Sequence, residues 1–328
     1  MAMTMEPGVQ DFMTRPRHVP VLMRDVANML ARPNAVLIDG TVGDGGHAAA
    51  LLQASGTGAR LLGLDLDAEG LARTEDFLRP FGERTHLVHD TFARVADVAA
   101  REGFAEPTGI LFDLGMSTHH LGVERGFSFK NLGSLDMRFD ASGTVSLPEP
   151  EMPALRRLAQ QIPSYTAADV LASLRKDDLA ELLSQYGGER HADRIADAVA
   201  TARRRVPIVA VPELVHLVVR ALPPRARHGR IHAATKTFQA LPMAVNRELE
   251  SLRDGIHGAL SLLAPGGRLA IITFHSGEDR LVKQLFRDAA REDRFILLTK
   301  HPVRPSTAET RNNRWSRSAH LRVVERHT

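Results

Sequence analysis

Residues 39–48 read DGTVGDGGHA, four glycines and two aspartates in ten positions, between the apolar run AVLI and the helix-forming stretch AALLQA. A chain that strips side chains from the junction of a strand and a helix leaves room for a ligand to approach its backbone. The feature therefore predicts a strand at 35–38, a tight ligand-binding turn, and a helix from about Gly46. The same alternation continues downstream. RLLGLD (60–65), THLVHD (85–90) and GILFDLG (109–115) are short apolar runs separated by helical stretches, the first of them from about Ala68. Near the C-terminus a long helix over NRELESLRDGIHGALSLL stops at APGG. GRLAIITFHS, a helix over EDRLVKQLFRDAA, RFILLT and HLRVVER come after it. Runs of this length spaced by helices predict an α/β fold, a Rossmann-like parallel sheet with helices on both faces.

Between these halves the texture changes to Leu-, Ala- and Arg-rich helical stretches punctuated by proline, with helix starts at Thr166 and Lys176–Asp178 and a stop at Gly187-Gly188. The expected organisation is a flexible arm at 1–17 and a first α/β part at 18–136. A mostly helical insertion at 137–231 and a second α/β part at 232–328 complete it. A chain of 328 residues, 43% hydrophobic and 25% charged, has the composition of a globular protein of about two domains. No apolar run approaches the roughly 18–20 residues of a membrane span. The first twenty residues carry Glu6 and Asp11 and lack an apolar signal core, so a cytoplasmic location is expected.

The chain has no cysteine, which excludes disulfides, thiolate nucleophiles and thiolate metal sites. Its fifteen histidines are scattered without ligand spacing, so no metal is expected. The net charge is only +3, yet residues 201–232 hold seven arginines against the single acid Glu213. Residues 300–328 hold seven lysines and arginines against Glu309 and Glu325. Two basic segments on a near-balanced body point to a polyanionic partner such as nucleic acid, with a solvated helix face and a basic tail as the plainer reading.

Three ligand classes use a glycine-rich turn after a first strand. A nucleoside triphosphate loop needs a lysine after the glycines, and none is present. A dinucleotide turn wants GxGxxG, and here Ala48 stands where the third glycine would fall. S-adenosylmethionine suits an acid and a glycine at the end of strand one, here Asp39-Gly40, followed by Gly43, Gly45 and Gly46. Asp65 at the end of strand two is placed to accept ribose hydroxyls, a feature shared with NAD enzymes.

HVPVL (18–22), DGTVGDGGHA, DLGMSTHHLGVERGFSF (113–129), LDMRFD (135–140), IHAATKTFQALPMAVNRELESL (231–252), APGGRLAIITFHSGEDRLVK (264–283) and RSAHLRVVER (317–326) occur in this order. They resemble the blocks of the RsmH/MraW family over nearly the whole chain. That family comprises S-adenosylmethionine-dependent methyltransferases acting on the N4 atom of a cytidine in the decoding region of 16S ribosomal RNA, and it carries an inserted helical domain. The resemblance implies cofactor contacts at Gly45, Gly46, His47, Asp65, Phe92 and Asp113, and at His120 in place of a usual glutamine. It implies small-subunit ribosomal RNA, or the assembling subunit, as partner. The chain departs from the family pattern at Ala233, Lys236, Pro242 and Gly277, and its 144–165 segment is longer.

Methylating an exocyclic cytosine amine requires the nitrogen in line with the methyl group and an acceptor for the departing proton. Ligands of such sheets sit at the carboxyl ends of the strands. The candidates for the chemistry are therefore Asp113, with Ser117 just beyond it, and His275 and Ser276 at the end of the fifth strand. His275 and Ser276 also fit a helix cap, and His47 a helix start. Phe127 and Phe129 fit a core better than a base platform. Arg203, Arg204, Arg205 and Trp315 are candidates for RNA contact, each with a structural alternative. Two rival functions stay open. One is the same chemistry on another RNA, such as organellar rRNA; the other is an assembly factor that binds rRNA without catalysis.

Overall fold

The computed structural model describes residues 19–115, 124–227, 229 and 231–328. The expected arm at 1–17, and Ser117 and His120, lie outside the described residues. Seven strands form one sheet: β1 (Val36–Asp39), β2 (Arg60–Asp65), β3 (Thr85–His89), β4 (Gly109–Asp113), β5 (Arg268–Thr273), β6 (Phe295–Leu297) and β7 (His320–Arg326). Their order across the sheet is β3-β2-β1-β4-β5-β7-β6. The first five pair in parallel, as their helical crossovers require. The sheet is not wholly parallel, however. β7 inserts between β5 and β6 and runs antiparallel to both, an arrangement that the apolar pattern of HLRVVER cannot distinguish from a parallel edge strand.

Burial on both faces explains why these runs are almost continuously apolar. On one face Leu37, Leu61, Leu111, Ala270 and Ile272 pack with the helices Met23–Leu30 and Gly46–Ser55. On the other, Ile38, Leu62, Ile110, Phe112 and Ile271 pack with Val95–Arg101, Glu248–Leu262 and Ser276–Arg291. Successive residues alternate between the two cores, the period of two that a strand imposes. Among the described residues no helix is long and apolar enough to cross a membrane.

A third apolar cluster gathers the chain between β4 and β5. It runs from Phe127, Leu135 and Met137 through the helices Pro153–Gln161, Ala167–Ser173, Lys176–Gly187, Ala192–Ala202 and Val211–Ala221. It ends on Phe238, Leu241 and Val245 of Thr235–Val245. Thr166 starts its helix with a reciprocal cap to Asp169, and Gly188 closes another in the left-handed conformation. Two departures from the family pattern find places here. Pro242 is buried inside a helix, and the Lys236 ammonium donates to the Gly188 carbonyl at 2.8 Å.

Asn246 ties this cluster to the turn at 135–140. Its amide nitrogen donates to the Met137 and Pro242 carbonyls at 2.8 and 2.9 Å, and its oxygen accepts the Phe139 amide at 2.7 Å. Arg247 continues the seam, donating to the carbonyls of Leu147, Pro148 and Pro163. It thereby pins the long 144–165 segment around a cavity of about 440 Å³. Asn246→Ala leaves buried backbone groups of a strained turn without partners, since Met137 has φ +60°. We expect a loss of roughly 2–4 kcal/mol in urea denaturation, from unsatisfied buried groups; a loss under about 1 kcal/mol would mean that the turn holds without it.

Candidate active site

Strand order reverses between β2 and β4, the two neighbours of β1, so a crevice opens at the carboxyl ends of β1 and β4. The glycine turn lies at that crevice. Asp65 grips it: Oδ2 accepts the Gly43 amide at 2.8 Å, and Oδ1 accepts the Asp67 amide at 2.9 Å. The Val42 amide reaches the Leu64 carbonyl at 2.9 Å, and the Thr74 hydroxyl reaches the Gly43 carbonyl. Gly45 has φ +81°, and a Cβ there would lie 3.0 Å from the side chains of Phe77 and Thr74. Only glycine fits that position. A carboxylate offers about four acceptor positions, so Asp65 keeps capacity for a ligand beyond its backbone bonds. Burial raises the Asp65 carboxyl above its ordinary range, with the Asp67 and Gly43 amides opposing.

Three strand ends deliver carboxylates to this turn. Asp39 closes β1 and is 1% exposed. Its Oδ1 accepts the Thr41 amide at 3.1 Å, whereas Oδ2 is buried without a partner. Burial pushes its carboxyl up to about 7, against the pull of His47. Asp113 closes β4. Its amide donates to the Thr41 hydroxyl at 2.6 Å, its Oδ2 lies 3.4 Å from His47 Nε2, and its Oδ1 is buried without a partner. His47 is not merely a helix-start residue with a useful backbone. Its ring is 6% exposed and faces Asp113. Burial alone would lower its pKa, but the Asp113 carboxylate, then Asp39, outweigh burial and hold it above the ordinary value.

Phe92 supplies a wall, its ring 4.9 Å from that of Phe112 and pressed on Gly255. Thr41 and Thr74 were not singled out from sequence. Thr41 joins Asp39 to Asp113, and its position inside the turn was the available signal.

The end of β5 is different in kind. Asp113 is in register with Ile272, which sets Phe274 beside Gly115. His275 is the N-cap of Ser276–Arg291: Nδ1 accepts the Gly277 and Glu278 amides at 3.1 and 3.4 Å, and Nε2 lies 3.0 Å from Glu278 Oε1. Burial lowers this imidazole, and the Glu278 and Glu248 carboxylates more than restore it. Gly277 lets the ring fold over the helix start, since a Cβ there would lie 3.1 Å from His275 Cε1. Nδ1 is thus engaged in the cap, whereas Nε2 is buried beside Glu278 without a hydrogen bond, and Ser276 is exposed on the first turn.

Phe127 is buried and stacked on Phe139, whereas Phe129 is half-buried and stacked on His232 at 4.4 Å. Arg203 follows Ala192–Ala202 and donates to the Leu171 carbonyl of Ala167–Ser173, which ties the two helix ends together; Arg204 and Arg205 are exposed.

A ligand for this crevice must bring positive charge or N–H and O–H donors, because Asp39 Oδ2 and Asp113 Oδ1 lack them. Acidic side chains around the turn disfavour a phosphate there, adding to the missing lysine and the missing third glycine. S-adenosylmethionine fits: an ammonium and a sulfonium for the acids, ribose hydroxyls for Asp65.

The chain matches the MraW methylase family over residues 15–149 and 152–327. It is 41% identical to a ribosomal RNA small subunit methyltransferase H of Symbiobacterium thermophilum, over 94% of this chain and 96% of that protein. It is 40% identical to the protein of the same name from Citrifermentans bemidjiense, over 94% of this chain and 98% of the other. The Syntrophobacter fumaroxidans relative is also 40% identical, over 98% of each chain.

The buried acids make a signed prediction for the ligand-free protein. Asp39 moves from 3.8 to about 7 on folding. Between those values the folded chain holds a proton that the unfolded chain has lost, so stability falls as pH rises through this window. Asp39→Asn removes the penalty and keeps an acceptor for Thr41. We expect the variant to be more stable than the parent near pH 8, by at most about 4 kcal/mol, with the gain gone near pH 4. Urea denaturation at the two pH values measures this; an equal effect at both would refute the burial argument.

Proposed function

The chain belongs to the MraW methylase family, and on that premise we propose that it transfers a methyl group from S-adenosylmethionine to the N4 atom of a cytidine in the decoding region of 16S ribosomal RNA. The observation that carries this reading is the pair of buried, donorless carboxylate oxygens at the glycine turn, Asp39 Oδ2 and Asp113 Oδ1. The names of the full-length relatives support the small-subunit RNA. On this reading the protein works in the cytoplasm on the assembling small subunit, and the helical region 137–231, sharing its core with Phe127, Leu135 and the helix Thr235–Val245, faces the substrate.

S-adenosylmethionine supplies an electrophilic methyl on a sulfonium. The chain's residues hold it and present the amine. Gly43, Gly45 and Gly46 admit its backbone-close part, Asp65 accepts the ribose hydroxyls, Phe92 walls the base, and Asp39 with His47 meets the charged amino-acid end. Asp113 stands nearest the reacting atoms. The N4 lone pair is delocalised into the ring, so the nitrogen must be turned and held for attack. The Asp113 carboxylate would accept an N4–H bond and orient the amine; the methyl would pass to N4 as its bond to the sulfonium sulfur breaks, leaving a neutral thioether, and the amine proton would leave toward that carboxylate. His47, 3.4 Å from Oδ2, steadies the carboxylate charge. We assign His275 and Ser276 the shaping of the wall beyond Asp113, through the helix cap.

Mass mapping of methylcytidine in small-subunit RNA, from cells with and without this protein, tests the function. An unchanged map would refute it. Asp65→Ala should weaken cofactor binding by about 1.5–3 kcal/mol, the scale of charge-assisted hydrogen bonds, in calorimetry. Asp113→Asn keeps one acceptor but removes the charge. At saturating cofactor its single-turnover rate should fall by about 10²–10⁴, and a normal rate with normal affinity would remove Asp113 from the mechanism.

A further inference from the structure

Antiparallel pairing puts the chain that enters β7 at the working end of the sheet. His320 is opposite Thr273, so residues 314–318 lie beside the carboxyl end of β5, where Phe274 adjoins Gly115 beyond Asp113. The segment is also bound to the chain that precedes the glycine turn. Asn313 Nδ2 donates to the Val19 carbonyl at 3.0 Å, Glu309 Oε1 accepts the Leu22 amide at 2.7 Å, and Pro20 packs directly on Gly46.

This turn holds an aromatic ring outward. Ser316 and Ala319 are buried, Ser316 Oγ donates to the Asn313 carbonyl at 2.7 Å, and Asn313 Oδ1 accepts the Trp315 amide at 3.1 Å. Trp315 itself is 58% exposed, so a tail packed onto this side chain is not what the fold provides. Lys300, Arg304, Arg311, Arg314 and Arg317 are exposed in the same stretch, and none pairs with an acid among the described residues. The other two arginines of the segment are structural: Arg322 makes a two-pronged pair with Asp279, and Arg326 donates to the Leu263 carbonyl. The nearby acid Glu309 is engaged by the Leu22 amide.

We propose that Trp315 and these five cations form a platform for single-stranded RNA at the rim of the active site, the indole stacking on a base that flanks the target. An outward indole among unpaired cations matches the two needs of a single strand, a π-face for a base and positive charge for its phosphates. The platform rests on the RNA-methylation reading and adds to it where the strand lies.

Trp315 is the lone tryptophan, so fluorescence excited at the red edge, where the two tyrosines do not absorb, reports this site alone. The full-length protein is titrated with single-stranded oligocytidylate RNA of about twelve nucleotides, a length that can span such a groove. We expect saturable quenching that weakens steeply with salt. Trp315→Ala should bind the same labelled RNA roughly tenfold to a hundredfold more weakly in anisotropy, the range of one lost stack. Trp315→Phe should recover part of this, and cofactor affinity should be unchanged in both. Absent quenching, or an alanine variant with parental RNA affinity, overturns the platform. Quenching that grows with protein concentration without RNA does so too, because it assigns the surface to a second copy. The methylcytidine map reads the function separately: an unchanged map with intact quenching rejects the methylation reading and leaves an RNA-binding surface in place.

Discussion

The carboxylate of Asp65 holds the site in shape. One of its oxygens takes the Gly43 amide and the other the Asp67 amide, so the glycine turn after β1 is fastened to the end of β2. Without that fastening a segment with four glycines would sample many backbone conformations at a large entropic cost. With it, the turn is held in the one shape that carries Gly45 at positive φ and opens the crevice toward β4. The carboxylate proposed to hold the ribose thus also builds the turn around it.

The same crevice carries a cost that the rest of the fold must absorb. Asp65 and Asp113, both half-buried, converge on the buried Asp39 and His47, and burial raises the carboxyls of Asp39 and Asp65. Two of the acid oxygens lack donors. Buried groups of this kind destabilise a chain unless a ligand satisfies them, and the extensive packing on both sheet faces supplies the margin. A positively charged ligand turns that liability into affinity. The end of β5 obeys the opposite logic. His275 Nδ1 and the Glu278 carboxylate cap the helix start reciprocally, which fixes the ring in place.

Much of the fold was legible because its causes are local. Two-sided apolar runs near 35, 60, 109 and 268 announce buried parallel strands, THLVHD reads as the half-exposed edge strand it is, and the glycines of DGTVGDGG announce a tight turn after the first strand. Asp65 and Asp113 were legible for the same reason: each is the last residue of its apolar run, and strand ends face the crevice. The antiparallel placement of β7 was not, since HLRVVER has the same pattern in either direction. Nor was the role of Arg203, because nothing in a run of three arginines separates the one that donates to the Leu171 carbonyl from the two that stay exposed.

By itself the sequence determined the order of strands and helices, the position of the ligand turn and the residue types that meet there. Those depend on side-chain period and backbone freedom within a few residues. Only the tertiary structure decided that Asp39, His47 and Asp113 share one dry cluster, that His275 caps a helix, and that Trp315 stands outward beside the site. Each of these depends on residues tens to hundreds of positions apart being brought within a few ångströms. Burial and partnering are properties of that closure, and no local pattern encodes them.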